Sequence, residues 1–203
     1  MLFSKSFDRP FKRILYVSKP EFAIAMTVFF SVILLGLLPG MLVGMALSII
    51  GLIQRFYRPR IVVMGKVPGS DEFAEVDGHP ENKQIDDTLV LKIESNLLFF
   101  NADNILKDIL NCLVRSQRHV NLLVLNLESS PFIDISAADM IQHLYEALKK
   151  RGVALKVARA SALMTDKLEK TGLISLLDQT DPGERVTKVI EEWRNLSAST
   201  DGI

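Results

Sequence analysis

The chain has 203 residues, and its 24 lysines and arginines are balanced by 24 aspartates and glutamates. The balance hides an asymmetry, because residues 1–60 carry eight basic and two acidic side chains, whereas residues 61–203 carry sixteen and twenty-two. An acidic second part argues against nucleic acid as a partner, since surfaces that bind nucleic acid are basic. The single Cys112 excludes an internal disulfide and is compatible with a reducing compartment.

Residues 22–53 form a long apolar run without a charged side chain. One straight helix of this length would measure about 48 Å, whereas the hydrocarbon core of a bilayer is about 30 Å thick. Pro39-Gly40 is typical of a turn, so the run predicts two short helices, Phe22–Leu38 and Met41–Ile53. Two alternatives stay open: a hairpin buried in a soluble protein, and a single tilted span with a kink at the proline.

Basic side chains flank the apolar run on both sides: Lys5, Arg9, Lys12, Arg13 and Lys19 precede it, and Arg55, Arg58 and Arg60 follow it. Because basic residues favour the cytoplasmic side of a membrane, this arrangement indicates a membrane hairpin with both ends in the cytoplasm. The small residues of the Gly40-x-x-x-Gly44 motif allow close approach of helices in lipid, and they predict packing within a larger helical assembly.

After residue 60 the pattern alternates between strands and helices. The predicted extended segments are Ile61–Met64, Thr88–Ile93, Leu97–Phe100, Val120–Leu127, Ala154–Ala158 and Ile174–Leu177, with a loop over residues 65–87. The predicted helices run from a cap at Asn101 to Arg118, over Ser136–Arg151, over Ser161–Thr171, and onward from Asp181. This alternation predicts an α/β fold with a mainly parallel sheet and flanking helices.

Signatures of catalysis and metal binding are missing from the sequence. The segment from Gly65 to Ser70 has its lysine after the wrong glycine for a phosphate-binding loop. His79, His119 and His143 show no ligand-like spacing with one another or with Cys112. The sequence therefore predicts no catalytic residue, no metal, no cofactor and no enzymatic activity.

The stretch from Ser129 to Met140 holds the candidate site residues Asp134 and Ser136. Ser136-x-x-Asp139 has the spacing of a capping box at the start of a predicted helix, and this interpretation of Ser136 is favoured. The alternative is a regulatory phosphorylation site, because a helix N-terminus stabilises an anion. Asp134 would oppose a phosphate on Ser136 by charge repulsion.

Residues 124–173, from "VLNLESS" to "EKTGL", resemble the STAS domain that is shared by bacterial anti-sigma-factor antagonists and SulP anion permeases. Asp134 and Ser136 match the aspartate and the phosphorylated serine of the antagonists, and Ala137 stands where the antagonists usually have glycine. Three upstream segments resemble the last membrane helices, the linker and the first STAS strands of a SulP permease: "LLGLLPGMLVGMALSIIGLI", "RPRIVVMGKVPGSDEF" and "LVLKIESNLLFFNAD".

The resemblance implies a division into a basic juxtamembrane segment (1–20), a transmembrane helical hairpin (21–56), a linker with the first STAS strand (57–87), and the remaining cytoplasmic STAS domain (88–203). It also implies a regulatory and assembly role in a secondary transporter of sulfate-like anions in the cell membrane. The substrate site of this family lies in upstream helices, so the chain is expected to hold no substrate-binding residue and not to transport alone. The implied partners are the membrane, the remaining transporter helices, a second copy and a cytoplasmic regulatory protein. The alternative function is a membrane-tethered signalling module of the antagonist type.

Overall fold

The computed structural model describes residues 19–57, 59–116, 118–177 and 181–200. The chain divides into two compact units, a helical unit of Met1–Arg55 and an α/β unit of Phe56–Ile203. Five of the basic residues that flank the apolar run lie outside the described residues: Lys5, Arg9, Lys12, Arg13 and Arg58.

The helical unit contains helix α1 (Lys19–Leu35) and most of helix α2 (Leu37–Tyr57). The predicted turn at Pro39-Gly40 is wrong, because the chain breaks at Gly36, which has a φ of +91°. Glycine adopts this conformation without the steric cost that other residues meet. Pro39 lies in the first turn of α2, where the missing N–H of a proline has no helical partner to lose.

Glycines of α2 face valines of α1 in an antiparallel pair. A Cβ added to Gly40 would lie 2.5 Å from Cγ2 of Val32, and one added to Gly44 would lie 3.2 Å from Cγ1 of Val28. The small residues of the Gly40-x-x-x-Gly44 motif therefore serve a contact inside the hairpin.

The outer surface of the hairpin is apolar on every side. Many large apolar side chains are at least half exposed, including Phe29, Phe30, Leu34, Leu38, Met41 and Leu52. No helix among the described residues combines the length and the apolar character needed to cross a membrane. The transmembrane role of residues 21–56 stays a prediction.

The α/β unit is built on a five-stranded sheet in the order β2-β1-β3-β4-β5. Its strands are β1 (Ile61–Lys66), β2 (Phe73–Glu75), β3 (Thr88–Ile93), β4 (Leu122–Asn126) and β5 (Ala154–Ala158). Strands β3, β4 and β5 are parallel, and β1 alone runs against its neighbours β2 and β3. The predicted α/β fold with a mainly parallel sheet and flanking helices is confirmed.

Both faces of the sheet are covered by helices. Helices α3 (Ala102–Arg115), α4 (Ile135–Lys149), α5 (Ala162–Lys170) and α6 (Leu173–Leu176) belong to the larger core, and α7 (Val186–Thr200) belongs to the smaller one. Strand β3 shows the alternation that divides the two cores, since Leu91 packs in the larger one and Val90 in the smaller one.

Arg60, just before β1, contacts residues in or next to the strands on both sides of β1. Its guanidinium forms an ion pair with Glu75 of β2 and a second one, at 3.5 Å, with Glu94 just after β3. The backbone N–H of Glu94 also donates to the carbonyl oxygen of Arg60, at 3.0 Å. Because β1 is antiparallel to β3, Ile61 lies opposite Ile93, so the chain enters at the carboxyl end of β3.

Other local predictions are wrong. The sequence predicts an extended segment at Ile174–Leu177, but the structure has helix α6 there. A helix forms because Leu173 and Leu177, four residues apart, are both buried on one face. Strand β2 lies within the predicted loop 65–87.

Two further predictions are wrong, because the structure has a bridge or a turn where the sequence predicts a strand or a helix start. Leu97–Phe100 contributes only an isolated bridge between Leu97 and Ile133. Asp181 does not start a helix, because its carboxylate accepts from the N–H of Gly183, at 2.8 Å, and forms a turn before α7.

The tight contact between Gly40 and Val32 gives a test of the hairpin. Gly40→Ala should separate α1 from α2, because the new methyl group would also lie 2.6 Å from the backbone Cα of Val32. Overpacking of this kind costs about 1–3 kcal/mol. The measurement is disulfide formation between cysteines introduced at Ala25 and Leu47 in a variant without Cys112, and its rate should fall. These two positions continue the antiparallel pairing of Val32 with Gly40 and of Val28 with Gly44.

Gly51→Ala is the matched control, since its methyl group would meet only Cδ1 of Ile24, at 3.9 Å. Its cross-linking rate should equal that of the parent chain. Equal rates for the Gly40 and Gly51 variants would contradict the described packing.

Candidate functional site

The loops that follow β3 and β4 are joined at the carboxyl edge of the sheet. The N–H of Asp134 donates to the carbonyl oxygen of Leu97 at 3.1 Å, and the N–H of Leu97 donates to that of Phe132 at 3.0 Å. The two loops meet there because the carboxyl ends of parallel strands lie at one edge of a sheet. The residues singled out in the sequence therefore lie where two loops converge.

Asp134 is the N-cap of α4 and also holds the neighbouring loop. Its φ of −98° and ψ of 176° are extended, and Oδ1 accepts from the N–H of Ala137 at 2.9 Å. Its Oδ2 accepts from the N–H of Phe99 at 2.6 Å, across 35 residues of sequence. Hydrogen bonds to a carboxylate are stronger than those between neutral groups, so one side chain fixes both the helix start and the loop after β3.

Ser136 lies in the first turn of α4, and its side chain is exposed. The predicted cap at Ser136 is wrong, because the helix begins at Ile135 and the carboxylate of Asp134 occupies the capping position. The sequence does contain a signal for the correct cap, because aspartate is as good a capping residue as serine, and Asp134 was available. Asp134 also stands three residues before Ala137, which is the usual spacing between a cap and its donor.

The capping bond changes the setting of a phosphate on Ser136. The N–H of Ala137 is already bound by Asp134, so this backbone donor is not open to a second anion. A phosphate on Ser136 would also place negative charge beside the Asp134 carboxylate, which accepts two backbone hydrogen bonds, and the two anions would repel each other. The regulatory role of Asp134 and Ser136 stays a prediction.

Asn101 is a further organising residue of the site. It stands at the N-cap position of α3, as predicted, but its side chain makes no capping hydrogen bond. Its Oδ1 accepts from the N–H of Leu98 at 2.9 Å, and its Nδ2 donates to the carbonyl oxygen of Asn96 at 3.0 Å. The buried Asn101 thus shapes the loop that carries Phe99.

Around Asp134 lies an apolar patch, which consists of Phe99, Phe132, Ile135 and Leu163. Their exposed fractions are 71%, 44%, 77% and 72%. Within the described part of the α/β unit, Val114 and Leu196 are the only other large apolar residues exposed to a comparable degree. Exposure cannot be read from residue type, and this surface was not predicted.

Lys167 ties one side of the apolar patch to the β4–α4 loop. Its Nζ lies 3.7 Å from the ring centroid of Phe132 and donates to the carbonyl oxygen of Ile133 at 2.8 Å. Leu163 lies one turn before Lys167 on α5, and Ser161 donates to the carbonyl oxygen of Pro131 at 3.4 Å. These contacts connect α5 to the segment before α4, and the bond between Asp134 and Phe99 connects that segment to the loop after β3.

A second polar cluster lies at the ends of β4 and β5. The guanidinium of Arg159 donates to Glu128 at 2.6 Å and to Glu72 at 2.8 Å. Arg159 has a φ of +54°, a conformation that non-glycine residues adopt at a cost. The two ion pairs connect Arg159 to the β1–β2 loop and to the β4–α4 loop. Because the two carboxylates neutralise the charge of the guanidinium, the cluster is poorly suited to bind an anion.

Two further features of the described residues concern their chemistry: the thiol of Cys112 and the grouping of side chains that could bind a metal ion. Burial raises the pKa of the Cys112 thiol, and Asp108 adds to the rise, so the thiolate is disfavoured at neutral pH. No three histidine, cysteine or acidic side chains among the described residues come close enough to hold a metal ion.

Comparisons with known proteins agree with the resemblance seen in the sequence. The family model of the STAS domain matches residues 79–188, which is more than half of the chain. A probable sulfate transporter of Mycobacterium tuberculosis is 28% identical over 169 residues, which cover 83% of this chain and 30% of the relative. High affinity sulfate transporter 2 of Stylosanthes hamata is 28% identical over 171 residues, which cover 80% of this chain and 26% of the relative.

A solved structure shows the same fold. The murine solute carrier 26 family member A9 anion transporter, in its inward-facing state, superposes with a TM-score of 0.71 at 18% identity. The superposition covers 86% of this chain and 27% of the transporter. The chain spans less than a third of the length of the curated relatives named above.

The capping assignment gives a second test. Asp134→Ala should lower the free energy of unfolding by about 1–2 kcal/mol, because α4 loses its cap. The loss of the bond to Phe99 adds to this cost. Ser136→Ala should leave stability nearly unchanged, because Ser136 makes no capping bond. Urea unfolding of both variants, followed by circular dichroism, measures the difference.

Asp134→Asn is the informative control. An asparagine keeps one oxygen for the N–H of Ala137 but turns an amide donor toward the N–H of Phe99. Its stability should lie between those of the parent chain and the alanine variant. A larger loss in Ser136→Ala than in Asp134→Ala would contradict the assignment.

Proposed function

This chain belongs to the STAS domain family, and we propose that it forms a membrane-anchored regulatory and assembly part of a SulP-type secondary transporter of sulfate or a similar anion. The observation that carries the proposal is the match to sulfate transporters over 80–83% of the chain, which is longer than the α/β unit alone.

The surface of the hairpin supports a place in the membrane. A helix that is apolar on every side suits an apolar environment. The two hydroxyl groups of α1 need no outside partner, because Thr27 donates to the carbonyl oxygen of Ala23 and Ser31 to that of Thr27, both at 2.8 Å. We infer that the hairpin is inserted beside further transporter helices, with the α/β unit in the cytoplasm.

The role of the α/β unit in this proposal is regulation and assembly. The carboxyl edge of its sheet carries a structured loop site and an apolar patch, and the Arg159 cluster is internally paired. The residues that bind the anion would then come from other membrane helices. A second copy of the chain and a cytoplasmic regulatory protein are further proposed partners.

A second candidate function is a membrane-tethered signalling module that is switched by phosphorylation. The exposed Ser136, two residues after Asp134, favours it. An uptake assay separates the two functions, because a signalling module would leave anion transport unchanged.

The proposed transport role is tested by uptake of labelled sulfate. Cells that lack their own sulfate uptake would express this chain, the membrane helices of a related sulfate transporter, or both. Uptake should require both, because the chain is expected to regulate and assemble the helices that bind the anion. Uptake by the helices alone at the full rate would contradict the proposal.

The proposed topology is tested with epitope tags at Met1 and Ile203. In sealed vesicles of known orientation, protease should reach both tags from the same side, since basic residues flank both ends of the apolar run. A tag inserted between Leu35 and Gly36, at the hairpin break, should be reached from the opposite side or not at all. Opposite accessibility of the two terminal tags would replace the hairpin by a single span.

A further inference from the structure

The apolar patch gathers four of the large exposed apolar side chains of the α/β unit at one place. Phe99 comes from the β3–α3 loop, Phe132 and Ile135 from the segment that starts α4, and Leu163 from α5. A group of exposed apolar side chains on neighbouring segments of a folded unit is typical of a surface that binds another molecule. Among the described residues of this unit, the other two large apolar side chains exposed to a comparable degree are Val114 on α3 and Leu196 on α7.

The patch is held in shape before any partner binds. Asp134 binds the backbone of Phe99 and begins the helix that presents Ile135. Lys167 lies over the ring of Phe132 and binds the next carbonyl group. A surface ordered in this way loses little conformational freedom on binding, which favours affinity.

The charge around the patch is acidic. Asp103 lies in the first turn of α3, and Asp139 lies one turn after Ile135 on α4. Both are exposed, and neither forms an ion pair with a side chain that the structure describes. Of the nearby cations, Lys167 is already bound to a carbonyl oxygen and an aromatic ring, and Lys107 lies one turn further along α3 than Asp103.

We propose that the apolar patch is the docking surface for a segment of a partner protein in which apolar side chains are interleaved with lysine or arginine. The apolar residues would cover Phe99, Ile135 and Leu163, and the basic ones would approach Asp103 and Asp139. The inference rests on the proposed regulatory and assembly role, because it names the surface and the partner chemistry of that role. Ser136 lies between Ile135 and Asp139, so added negative charge there would strengthen binding.

Other occupants fit the charge less well. Two copies facing each other through this patch would bring Asp103 and Asp139 against the same acids of the other copy. An anionic lipid surface would be repelled by these carboxylates. A basic, apolar protein segment has complementary charge.

The test uses the full chain in phosphatidylcholine nanodiscs and a fluorescent amphipathic peptide of leucine and lysine, with empty nanodiscs as the blank. Anisotropy should show binding, and a peptide with glutamate in place of lysine should bind at least about tenfold more weakly. Ile135→Ser and Leu163→Ser should each weaken binding by about tenfold, as expected for central apolar contacts. Val114→Ser is the matched control, because Val114 is 67% exposed and lies outside the patch.

Ser136→Asp should tighten binding of the lysine peptide, because it adds negative charge beside Asp139. Thermal unfolding of each variant verifies that it is folded. Leu163→Ser is a second, independent variant, because Leu163 lies on the surface of α5 and not on the segments that Asp134 holds. Equal affinity of the Ile135, Leu163 and Val114 variants would overturn the proposal, as would equal binding of the two peptides.

The alternative occupants are tested with the same variants. Light scattering that shows Ile135-dependent pairing of nanodiscs would reassign the patch to a second copy. Binding to phosphatidylserine vesicles that is lost in Ile135→Ser would reassign it to lipid. The docking surface and the transport role can also fail separately. If peptide binding depends on the patch but the chain has no effect on sulfate uptake, the docking surface is supported and the proposed transport role is contradicted.

Discussion

The Asp134 carboxylate is the interaction on which the candidate site depends. Two hydrogen bonds from backbone N–H groups, of Ala137 and Phe99, end on its two oxygens. One bond starts a helix and the other holds a loop from a different βα connection. Parallel strands bring these connections to one edge, but side-by-side placement alone does not fix their conformation. The carboxylate converts that proximity into a defined surface on which Phe99 and Ile135 are exposed.

Other side chains of the α/β unit act in the same way. Arg159 joins two loops through Glu128 and Glu72, and Lys167 joins α5 to the β4–α4 loop through a carbonyl oxygen and a ring. In each case one side chain satisfies groups from separate segments. The carboxyl edge of the sheet is therefore well ordered, although its connections carry little regular secondary structure, and an ordered edge is suited to recognition by a partner.

The regular elements could be predicted because their patterns are local. Strands β3 and β5 were predicted at their observed bounds, since each is a short apolar run between turn signals. The cap was assigned to Ser136 because aspartate and serine are equivalent by local rules; the hydrogen bond of the Asp134 backbone to Leu97, 37 residues earlier, was not visible in the sequence. The apolar patch was missed for the same reason, because exposure of Phe99 or Ile135 is set by tertiary packing.

The reversed direction of β1 has a mechanical consequence. Residue Arg60 is where the chain passes from the helical segment into the sheet, and β1 is hydrogen-bonded on both sides, to β2 and to β3. A pull on Arg60 along the strand axis would load both ladders in shear, so that their bonds must break together and not one after another. Such a strand resists extension, and tension applied there would be passed to the end of β3, next to the loop that Asp134 holds.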